Sequence, residues 1–576
     1  MRLTRPRHSR SDLTSGPTAD ERLARLLVET DTLPEDVLEQ ALVEPAEEPL
    51  ARRLVSEGLL TDDRLAMLLA TAYQVPRQDF RAVTPDARAI ALLSVNQARS
   101  LRAVPLAWDG HVVTVAVVDP SPEHIRVVAD AVGTEVRPVV ASYRDLDVAL
   151  DMSYRVAEEV APQIHEFEVR DQLRREAAQL ENVSVNEDAP VVRVVQMVLA
   201  QALRDRASDV HIEPFGDRVR VRYRIDGALT DVLDLPGSIG PAMVSRVKIL
   251  AEMNIVERRR PQDGQISTEI DGRDVDIRVS TTPVVGGEKV VMRMLDKSRP
   301  LYALKELGMP DDTAERYRGL LQAPYGMVIC AGPTGSGKTT TLYASLGELN
   351  STDRNIMTIE DPVEYTFDAI NQIQINEQAG VTFANGLRSI LRQDPDVILV
   401  GEVRDAETAR IAVQSALTGH FVLSSLHATE AVSALHRLLD MGIEPFLVAS
   451  SVTAVVAQRL VRRSCTACAE PYEPTAAELA FLASYGAREP ESGYVHGAGC
   501  NFCAHTGFLE RIGVYEMLPI TEEVRGLVLA RASHDELRDL ARKQGMRSLQ
   551  EQAVRLVEEG VTTAAEVMRT IYTVVL

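Results

Sequence analysis

The chain has 576 residues, too many for one hydrophobic core, and a prior of about 150 residues per domain predicts three or four domains. Its formal net charge of -22 disfavours a protein whose main task is to hold nucleic acid, because phosphate neutralisation requires clustered Lys and Arg. No segment is apolar over about 18 residues, and the start lacks the apolar core of a signal peptide. We therefore expect a cytoplasmic protein that reaches a membrane only through partners.

The N-terminal part is predicted to contain a lead-in and one domain. Residues 1–18 are rich in Arg, Ser, Pro and Gly, which is typical of a disordered lead-in. The apolar pattern of Leu23–Val28 recurs at Leu50–Val55, and its helical spacing indicates two repeats of short amphipathic helices. Residues 19–154 are interpreted as a small α+β domain that contains these repeats. Its strand patterns lie at Val112–Val118 and Glu135–Val140.

A charged segment separates this domain from a second one. Residues 155–187 are strongly charged and contain no glycine, which predicts a solvated helix or a flexible linker. From residue 188 to residue 300, a helical pattern at 191–206 leads into strand patterns, so we predict a second α+β domain. These strand patterns lie at Val210–Glu213, Val219–Ile225, Asp274–Val279 and Lys289–Leu295.

The last domain contains a complete phosphate-binding loop, Gly332-Pro-Thr-Gly-Ser-Gly-Lys-Thr339. It follows the apolar run Met327–Ala331 and precedes a helical pattern, as this motif requires. Lys338 can reach the β- and γ-phosphates of ATP, and the Thr339 hydroxyl can ligate Mg²⁺. The predicted nucleotide-binding residues are Gly332, Pro333, Thr334, Gly335, Ser336, Gly337, Lys338, Thr339 and Thr340.

After this loop, strand and helix patterns alternate as in a parallel α/β sheet, and polar side chains follow three strands. In open α/β sheets ligands bind outside the carboxyl ends of the strands, so Glu360, Glu364, Glu402 and His427 are expected to face one nucleotide. Glu402 and Glu364 are our candidates for positioning the attacking water. His427 and His420 are candidates for sensing the γ-phosphate or its release.

Four of the five cysteines form two C-x-x-C pairs. In a reducing cytosol this pattern predicts a tetrahedral thiolate site for Zn²⁺, while a redox pair or an iron–sulfur cluster remains an alternative. The fifth, Cys330, lies in the apolar run before the phosphate loop and is interpreted as a small buried hydrophobe. The predicted zinc ligands are Cys465, Cys468, Cys500 and Cys503.

Together these motifs resemble the type II/type IV secretion ATPase superfamily from about residue 189 to residue 576. The resemblance is carried by the phosphate loop and by the motifs Glu360-Asp-Pro-Val-Glu364, Gly401-Glu-Val-Arg-Asp405, Gly419-His and Leu426-His-Ala-Thr429. It extends to Ala207-Ser-Asp-Val-His-Ile-Glu-Pro214, Arg222-Tyr-Arg-Ile-Asp-Gly227, Arg260-Pro-Gln-Asp-Gly-Gln265, Asp276-Ile-Arg-Val-Ser280, Cys500-Asn-Phe-Cys-Ala-His-Thr-Gly507 and Gly513-Val-Tyr-Glu516.

The resemblance implies an α/β fold with a RecA-like P-loop ATPase core at 308–576. Two α+β domains would precede this core, and a zinc-binding insertion would occupy 462–507. The resemblance also implies a homo-hexamer on the cytoplasmic face of the inner membrane, where ATP hydrolysis turns a membrane platform protein that adds pilin or pseudopilin subunits. Arg278 and Arg293 would complete the nucleotide site from the second domain, with Arg222 and Arg224 as further candidates. A guanidinium inserted there stabilises the transition state.

Two departures from expected patterns affect the interpretation. Gly401 stands where phosphate-loop enzymes usually carry a magnesium-orienting Asp, a feature that the secretion family shares. The N-terminal repeats resemble the family's cyclic-di-GMP module, but Ala24 and Ala51 replace the expected glycine, and the closing glutamine is absent. Since alanine allows less close backbone approach than glycine, this disfavours dinucleotide binding and favours docking to a membrane protein.

Three other functions are compatible with these motifs. A DNA-uptake motor is disfavoured because the chain is acidic and shows no aromatic-basic track for direct contact with nucleic acid. A pilus-retraction motor is disfavoured by the four cysteines and the long N-terminal region. An ATP-binding scaffold without turnover is opposed by the presence of Lys338, Thr339 and Glu402. The sequence does not separate a type IV pilus from a type II pseudopilus.

Overall fold

The computed structural model describes residues 50–154, 190–296, 303–490 and 493–571, except 57, 58, 79, 81, 82 and 84, together with single residues within 23–33 and 160–167. The predicted lead-in at 1–18 lies outside the described residues, and so does almost all of the predicted linker at 155–187. The chain forms two units, Met1–Glu159 and Val160–Leu576.

The first unit combines helices with a three-stranded sheet of order β1-β2-β3. Its helices are α1 Leu50–Ser56, α2 Asp62–Tyr73, α3 Ala87–Ile90, α4 Val95–Ser100, α5 Pro122–Val132 and α6 Tyr143–Ser153, and its strands are β1 Ala103–Trp108, β2 Val112–Val117 and β3 Glu135–Val140. The second helical repeat forms α1 and α2, which confirms the predicted helix pair. Leu50, Leu54 and Leu65 are buried in one cluster because helical spacing places these leucines on inward faces. The first repeat falls largely outside the described residues.

The second unit begins with an antiparallel six-stranded sheet of order β6-β5-β4-β9-β8-β7. Its elements are α7 Pro190–Arg204, β4 Asp209–Phe215, β5 Arg218–Ile225, β6 Ala228–Pro236, α8 Gly240–Leu250, β7 Gln262–Ile270, β8 Arg273–Val284 and β9 Gly287–Asp296. The four predicted strands are confirmed as β4, β5, β8 and β9. The Tyr223 hydroxyl on β5 donates to the Val198 carbonyl at 2.6 Å and so fixes α7 on the buried face of the sheet.

The α/β core contains a seven-stranded sheet of order β12-β11-β13-β14-β10-β15-β18, parallel except for the edge strand β18. Its first elements are α9 Asp311–Leu321, β10 Gly326–Ala331, α10 Lys338–Leu349, β11 Ile356–Glu360, β12 Asn371–Gln374, α11 Phe383–Ile390, β13 Val397–Val400, α12 Ala406–Leu417 and β14 Phe421–Leu426. Every residue of β10, β11, β13 and β14 is buried. Helices cover both faces of such a sheet, so these strands are mostly apolar along their whole length.

The end of the chain adds two long strands, a small two-stranded sheet and several helices to this core. The elements are α13 Ala431–Asp440, α14 Pro445–Ser451, β15 Val452–Ser464, β16 Ala469–Pro471, α15 Ala476–Ser484, β17 Val495–Gly497, β18 Phe508–Pro519, α16 Glu522–Leu529, α17 His534–Lys543, α18 Leu549–Glu558 and α19 Ala564–Ile571. The cysteine pairs lie between β15 and β18 in sequence, next to the antiparallel pair β16 and β17. Across the described ranges, no helix has both the length and the apolar character needed to cross a bilayer.

Candidate active site and metal centre

The phosphate-binding loop joins β10 to α10 at the carboxyl edge of the parallel strands. Gly335 and Gly337 adopt positive φ angles of +76° and +87°, which favour glycine. A Cβ at Gly332 would lie 2.3 Å from Ser336 Oγ and 2.8 Å from the Gln458 carbonyl oxygen, so a larger residue does not fit there. The loop is therefore a tight turn that leads its amides into the N-terminus of α10, where an anion is favoured.

Lys338 lies against the same loop. Its Nζ donates to the carbonyl oxygens of Gly332 at 2.9 Å and Pro333 at 3.0 Å. Burial lowers the pKa of the ammonium group, the charge of Arg459 acts in the same direction, and Glu402 opposes both. An ammonium has three N–H donors, so the two carbonyls leave one for a phosphate oxygen.

Glu402 is the centre of an ionic network at the ends of three strands. Its Oε1 lies 2.7 Å from His427 Nε2, and its Oε2 accepts a hydrogen bond of 2.8 Å from Arg404 Nε. The Arg404 NH1 also lies 3.4 Å from Asp361 Oδ2. The Glu402 side chain is 16% exposed and that of His427 is 51% exposed. The structure thus brings Glu402 and His427 together, as the sequence predicted.

Close backbone packing explains the glycine that precedes Glu402. The Gly401 N–H donates to the Ile359 carbonyl at 2.8 Å, and the Ser425 hydroxyl donates to the Gly401 carbonyl at 2.7 Å. A Cβ at Gly401 would lie 3.2 Å from the Ile359 oxygen and 3.3 Å from Glu360 Cα. These contacts hold the end of β13 between its two neighbours and direct Glu402 toward the phosphate loop.

The side chain of Glu360 was expected to face the nucleotide, but the structure places it elsewhere. Its carboxylate is buried and accepts hydrogen bonds from the hydroxyls of Tyr343 and Thr358 and from Gln372 Nε2. The Tyr343 hydroxyl in turn accepts the Glu364 backbone N–H at 3.2 Å. We therefore correct the expected place of Glu360: these three donors hold it beneath the site, where it supports Tyr343 and the Glu364 backbone.

Glu364 lies within the electrostatic reach of the second domain's arginines. Burial raises the pKa of its carboxyl, and the charge of Arg278 is the largest influence that lowers it. Burial lowers the pKa of Arg278, which Glu364 and Asp361 oppose. Arg278 on β8 is directly opposite Arg293 on β9. The antiparallel sheet therefore brings Arg278 within electrostatic range of the carboxylates of Glu364 and Asp361 in the α/β core of the same chain.

The other candidate arginines are engaged within their own sheet. Arg222 forms a two-point contact with Glu213, from Nε at 2.9 Å and NH2 at 3.0 Å. Arg224 Nε lies 3.6 Å from Asp209 Oδ2, so Arg224 also contacts a carboxylate of β4. Arg293 Nε also contacts Asp209, at 3.1 Å. Arg278 is thus the arginine that the structure associates most directly with Glu364.

His420 is not brought to the phosphate edge. Strands β10 and β14 are parallel with Gly326 opposite Phe421, so His420 lies before the amino ends of both strands. A strand of this length spans about 20 Å, which separates His420 from the loop that starts at Gly332. Its Nδ1 lies 3.0 Å from the Ser415 carbonyl oxygen. This corrects its predicted role as a phosphate sensor within its own chain.

Two polar residues of β15 beside the site were not among those predicted from the sequence. Gln458 Nε2 donates to the Ser336 carbonyl at 2.8 Å, and Arg459 NH2 donates to the Thr429 carbonyl at 2.9 Å. In the sequence this Gln-Arg pair directly follows the largely apolar run Val452–Ala457, but β15 continues to Ser464, so no strand end marks the two residues.

The four predicted zinc ligands converge. Their sulfur atoms lie within 4.8 Å of one another, with distances of 3.8 Å between Cys465 and Cys500, 3.9 Å between Cys468 and Cys503, and 3.9 Å between Cys500 and Cys503. A tetrahedral Zn²⁺ with bonds of about 2.3 Å requires sulfur separations of about 3.8 Å. The donor set therefore fits a closed structural zinc site, and four thiolates also suit iron.

We expect the purified protein to contain about one Zn²⁺ per chain, because these thiolates join two otherwise separate turns. Cys500→Ser should lose the metal and lower the melting temperature, since such a site contributes on the order of 10 kcal/mol to local folding. Cys330→Ala, outside the cluster, is the matched control and should retain zinc. Absence of zinc from elemental analysis, with an unchanged melting temperature in Cys500→Ser, would contradict the assignment, and iron in its place would indicate a cluster.

Comparison with known proteins gives two domain matches. The family model described as "Type II/IV secretion system protein" matches residues 184–569. This region includes the antiparallel sheet with Arg278, the α/β core and the cysteine cluster. A second family model, described as "MshEN domain", matches residues 73–160, which include the three-stranded sheet of the first unit.

Curated relatives of two kinds match the chain. It is 48% identical to the type II secretion system protein HxcR of Pseudomonas aeruginosa, over 67% of this chain and 78% of that protein. It is 46% identical to the type II secretion system ATPase E of Vibrio cholerae, over 69% and 78%. It is 39% identical to the type IV pilus assembly ATPase PilB of Myxococcus xanthus, over 95% and 98%. The chain belongs to the type II/IV secretion system protein family of ATPases.

Proposed function

We propose that this protein is a hexameric ATPase whose hydrolysis of ATP drives assembly of a type IV pilus or a type II secretion pseudopilus. The observation that carries the proposal is one edge of a parallel sheet where Lys338, Glu402 and His427 meet behind a phosphate-binding loop. The match to the PilB relative over 95% of this chain supports the pilus in particular.

The residues divide the work of hydrolysis between binding and activation. The amides of the loop and the Lys338 ammonium bind the phosphates of ATP. Glu402 positions the attacking water, and His427, paired with it, responds to the γ-phosphate. The half-buried Thr339 in the first turn of α10 is placed to hold Mg²⁺, which would neutralise charge on the β- and γ-phosphates.

Arg278 stabilises charge on the phosphates when the antiparallel sheet closes on the core. Its proximity to Glu364 and Asp361 supports this role, because the same region must accept a nucleotide with several negative charges. Arg293 assists from the neighbouring strand. Hydrolysis would then depend on the relative movement of the two sheets, which is how chemical energy becomes motion.

We also propose the setting in which this motor works. It acts on the cytoplasmic side of the inner membrane and is held there by an inner-membrane platform protein. The first unit docks on a further membrane protein rather than binding cyclic-di-GMP, because Ala24 and Ala51 replace glycine in its repeats. The cysteine centre is a structural zinc site.

ATPase activity per chain is expected to rise with protein concentration, because a ring assembles by mass action and constrains closure of the sheets. The measurement is phosphate release across a dilution series, with the assembly state followed by sedimentation. Activity per chain that stays constant while the protein dissociates to monomers would contradict a ring motor.

In the cell, chromosomal Glu402→Gln should abolish pili or secretion at normal protein levels, whereas a non-hydrolysing scaffold would retain both.

A further inference from the structure

The chain between β14 and α13 carries His427 and leads directly into a helix. We call residues 427–431 the His427 segment. His427 itself contacts Glu402 through its side chain, with Nε2 2.7 Å from Oε1. The position of the imidazole therefore depends on what holds the backbone of this exposed connection. Two side chains bind this backbone. They are Arg459 on β15 and Glu516 on β18, the two strands that lie beyond β10 in the sheet.

Arg459 lies where β15 extends beyond its neighbour. The pairing of β10 with β15 ends at Ala331 and Ala457, so the next two residues of β15 run beside the phosphate loop. The Gln458 side chain donates to the Ser336 carbonyl at 2.8 Å. Arg459 donates from NH2 to the Thr429 carbonyl at 2.9 Å and from NH1 to the Gln458 carbonyl at 3.1 Å. One dipeptide thus contacts both the phosphate loop and the His427 segment.

Glu516 holds the other end of the segment. Its buried Oε1 accepts the Ala431 backbone N–H at 2.7 Å, at the N-terminus of α13, where a negative charge is favoured. It is paired with Ala457 across β15 and β18, so it shares a sheet face with Arg459. Burial raises the pKa of Glu516 to about 7; the charge of Glu430 adds to this, whereas the Ala431 N–H and Arg459 oppose it.

We propose that Arg459 and Glu516 are positioning residues for hydrolysis: by binding the Thr429 carbonyl and the Ala431 N–H they fix the His427 segment, and with it the His427 imidazole, against Glu402. This inference rests on the proposed ATPase function. Because Gln458 on the same strand holds the Ser336 carbonyl, the strand also sets the spacing between the phosphate loop and His427. Through these contacts with backbone groups, Arg459 and Glu516 would set the position of the His427 imidazole without contacting the nucleotide themselves.

A direct phosphate contact is the competing role for Arg459, since its charge acts on Lys338. The geometry favours positioning, because both terminal nitrogens of the guanidinium donate to carbonyl oxygens. The two roles differ in what substitution changes. Loss of a phosphate contact weakens ATP binding, whereas loss of positioning lowers kcat through His427.

The test is a double-mutant cycle between Arg459 and His427 in the full chain. Arg459→Met keeps the length of the side chain and removes its donors, and we expect kcat to fall about tenfold while the Kd for ATP changes less than about twofold. In a His427→Ala background the same substitution should lower kcat by less than about twofold further. Arg437→Met, on the exposed face of α13, is the matched control.

Glu516 supplies a second arm that separates positioning from loss of fold. Glu516→Gln keeps an oxygen acceptor for the Ala431 N–H and should retain most of the kcat, whereas Glu516→Leu should lose it to the same extent as Arg459→Met. Multiplicative losses in the cycle, or a rise of about tenfold in the Kd for ATP with kcat unchanged in Arg459→Met, would overturn the inference. A wild-type oligomer that hydrolyses no ATP would overturn the proposed function itself.

Discussion

Glu402→Gln is expected to leave ATP binding intact and to lower kcat by about 100-fold or more, whereas Lys338→Ala is expected to abolish turnover by preventing productive binding. The amide of the glutamine keeps the shape of Glu402 but removes the charge that orients a water and pairs with His427 at 2.7 Å. Among the residues of the phosphate loop, Lys338 is the one that carries a positive charge.

The measurements are the Kd of a fluorescent ATP analogue and the rate of phosphate release. Glu315→Gln, which removes an exposed carboxylate on α9, is the control and should match the wild type. A Glu402→Gln protein that hydrolyses ATP at the wild-type rate would show that another group, with Glu364 the first candidate, positions the water. Wild-type turnover in Lys338→Ala would show that the loop is not the phosphate site.

Arg278→Ala is expected to lower kcat by at least about tenfold, a loss of about 1.4 kcal/mol or more in transition-state stabilisation, without a comparable loss of ATP binding. Arg278 is half-buried and interacts with Glu364, so its removal leaves charge uncompensated where the phosphates bind. Arg293→Ala is expected to cost less, because Arg293 is more exposed and already pairs with Asp209 at 3.1 Å.

Mixed oligomers test whether the arginine acts within its own chain. Arg278 and Glu364 interact in one chain, so mixing Arg278→Ala subunits with Glu402→Gln subunits should not restore activity. Arg273→Ala, at the exposed start of the same strand, is the control for loss of an arginine from the sheet. Recovery of activity on mixing would place the arginine in a neighbouring subunit's site, and an unchanged kcat in Arg278→Ala would make it structural.

The sequence predicted the buried parallel strands well and the exposed strands poorly. Strands β10, β11, β13 and β14 are buried throughout and mostly apolar because helices cover both faces of the sheet. Strand β7 was missed because its residues, Gln262–Ile270, are mostly exposed and lack a clear apolar alternation. Its pairing with β8 is decided by long-range backbone contacts, which no local pattern records.

The candidate site shows the same division. The phosphate loop and the cysteine pairs could be identified from sequence because their functional residues are only a few positions apart, so a single local turn brings them together. Strand-end patterns also identified Glu402 and His427, since parallel strands deliver their carboxyl ends to one edge. They also assigned Glu360 to this edge, but the structure buries its carboxylate against Tyr343. The proposed sensor His420 lies at the opposite, amino end of β14.

The sequence by itself determined that this chain has a phosphate-binding loop, two C-x-x-C pairs and two α+β regions before an α/β core. Only the tertiary structure decided that the Glu360 carboxylate is buried, because two of its hydrogen-bond donors, Tyr343 and Gln372, lie 17 and 12 residues away in sequence. It also decided that β15 and β18 hold the His427 segment through Arg459 and Glu516. The physical reason is that a motif reports contacts within a turn, whereas a side chain's role depends on partners from distant strands.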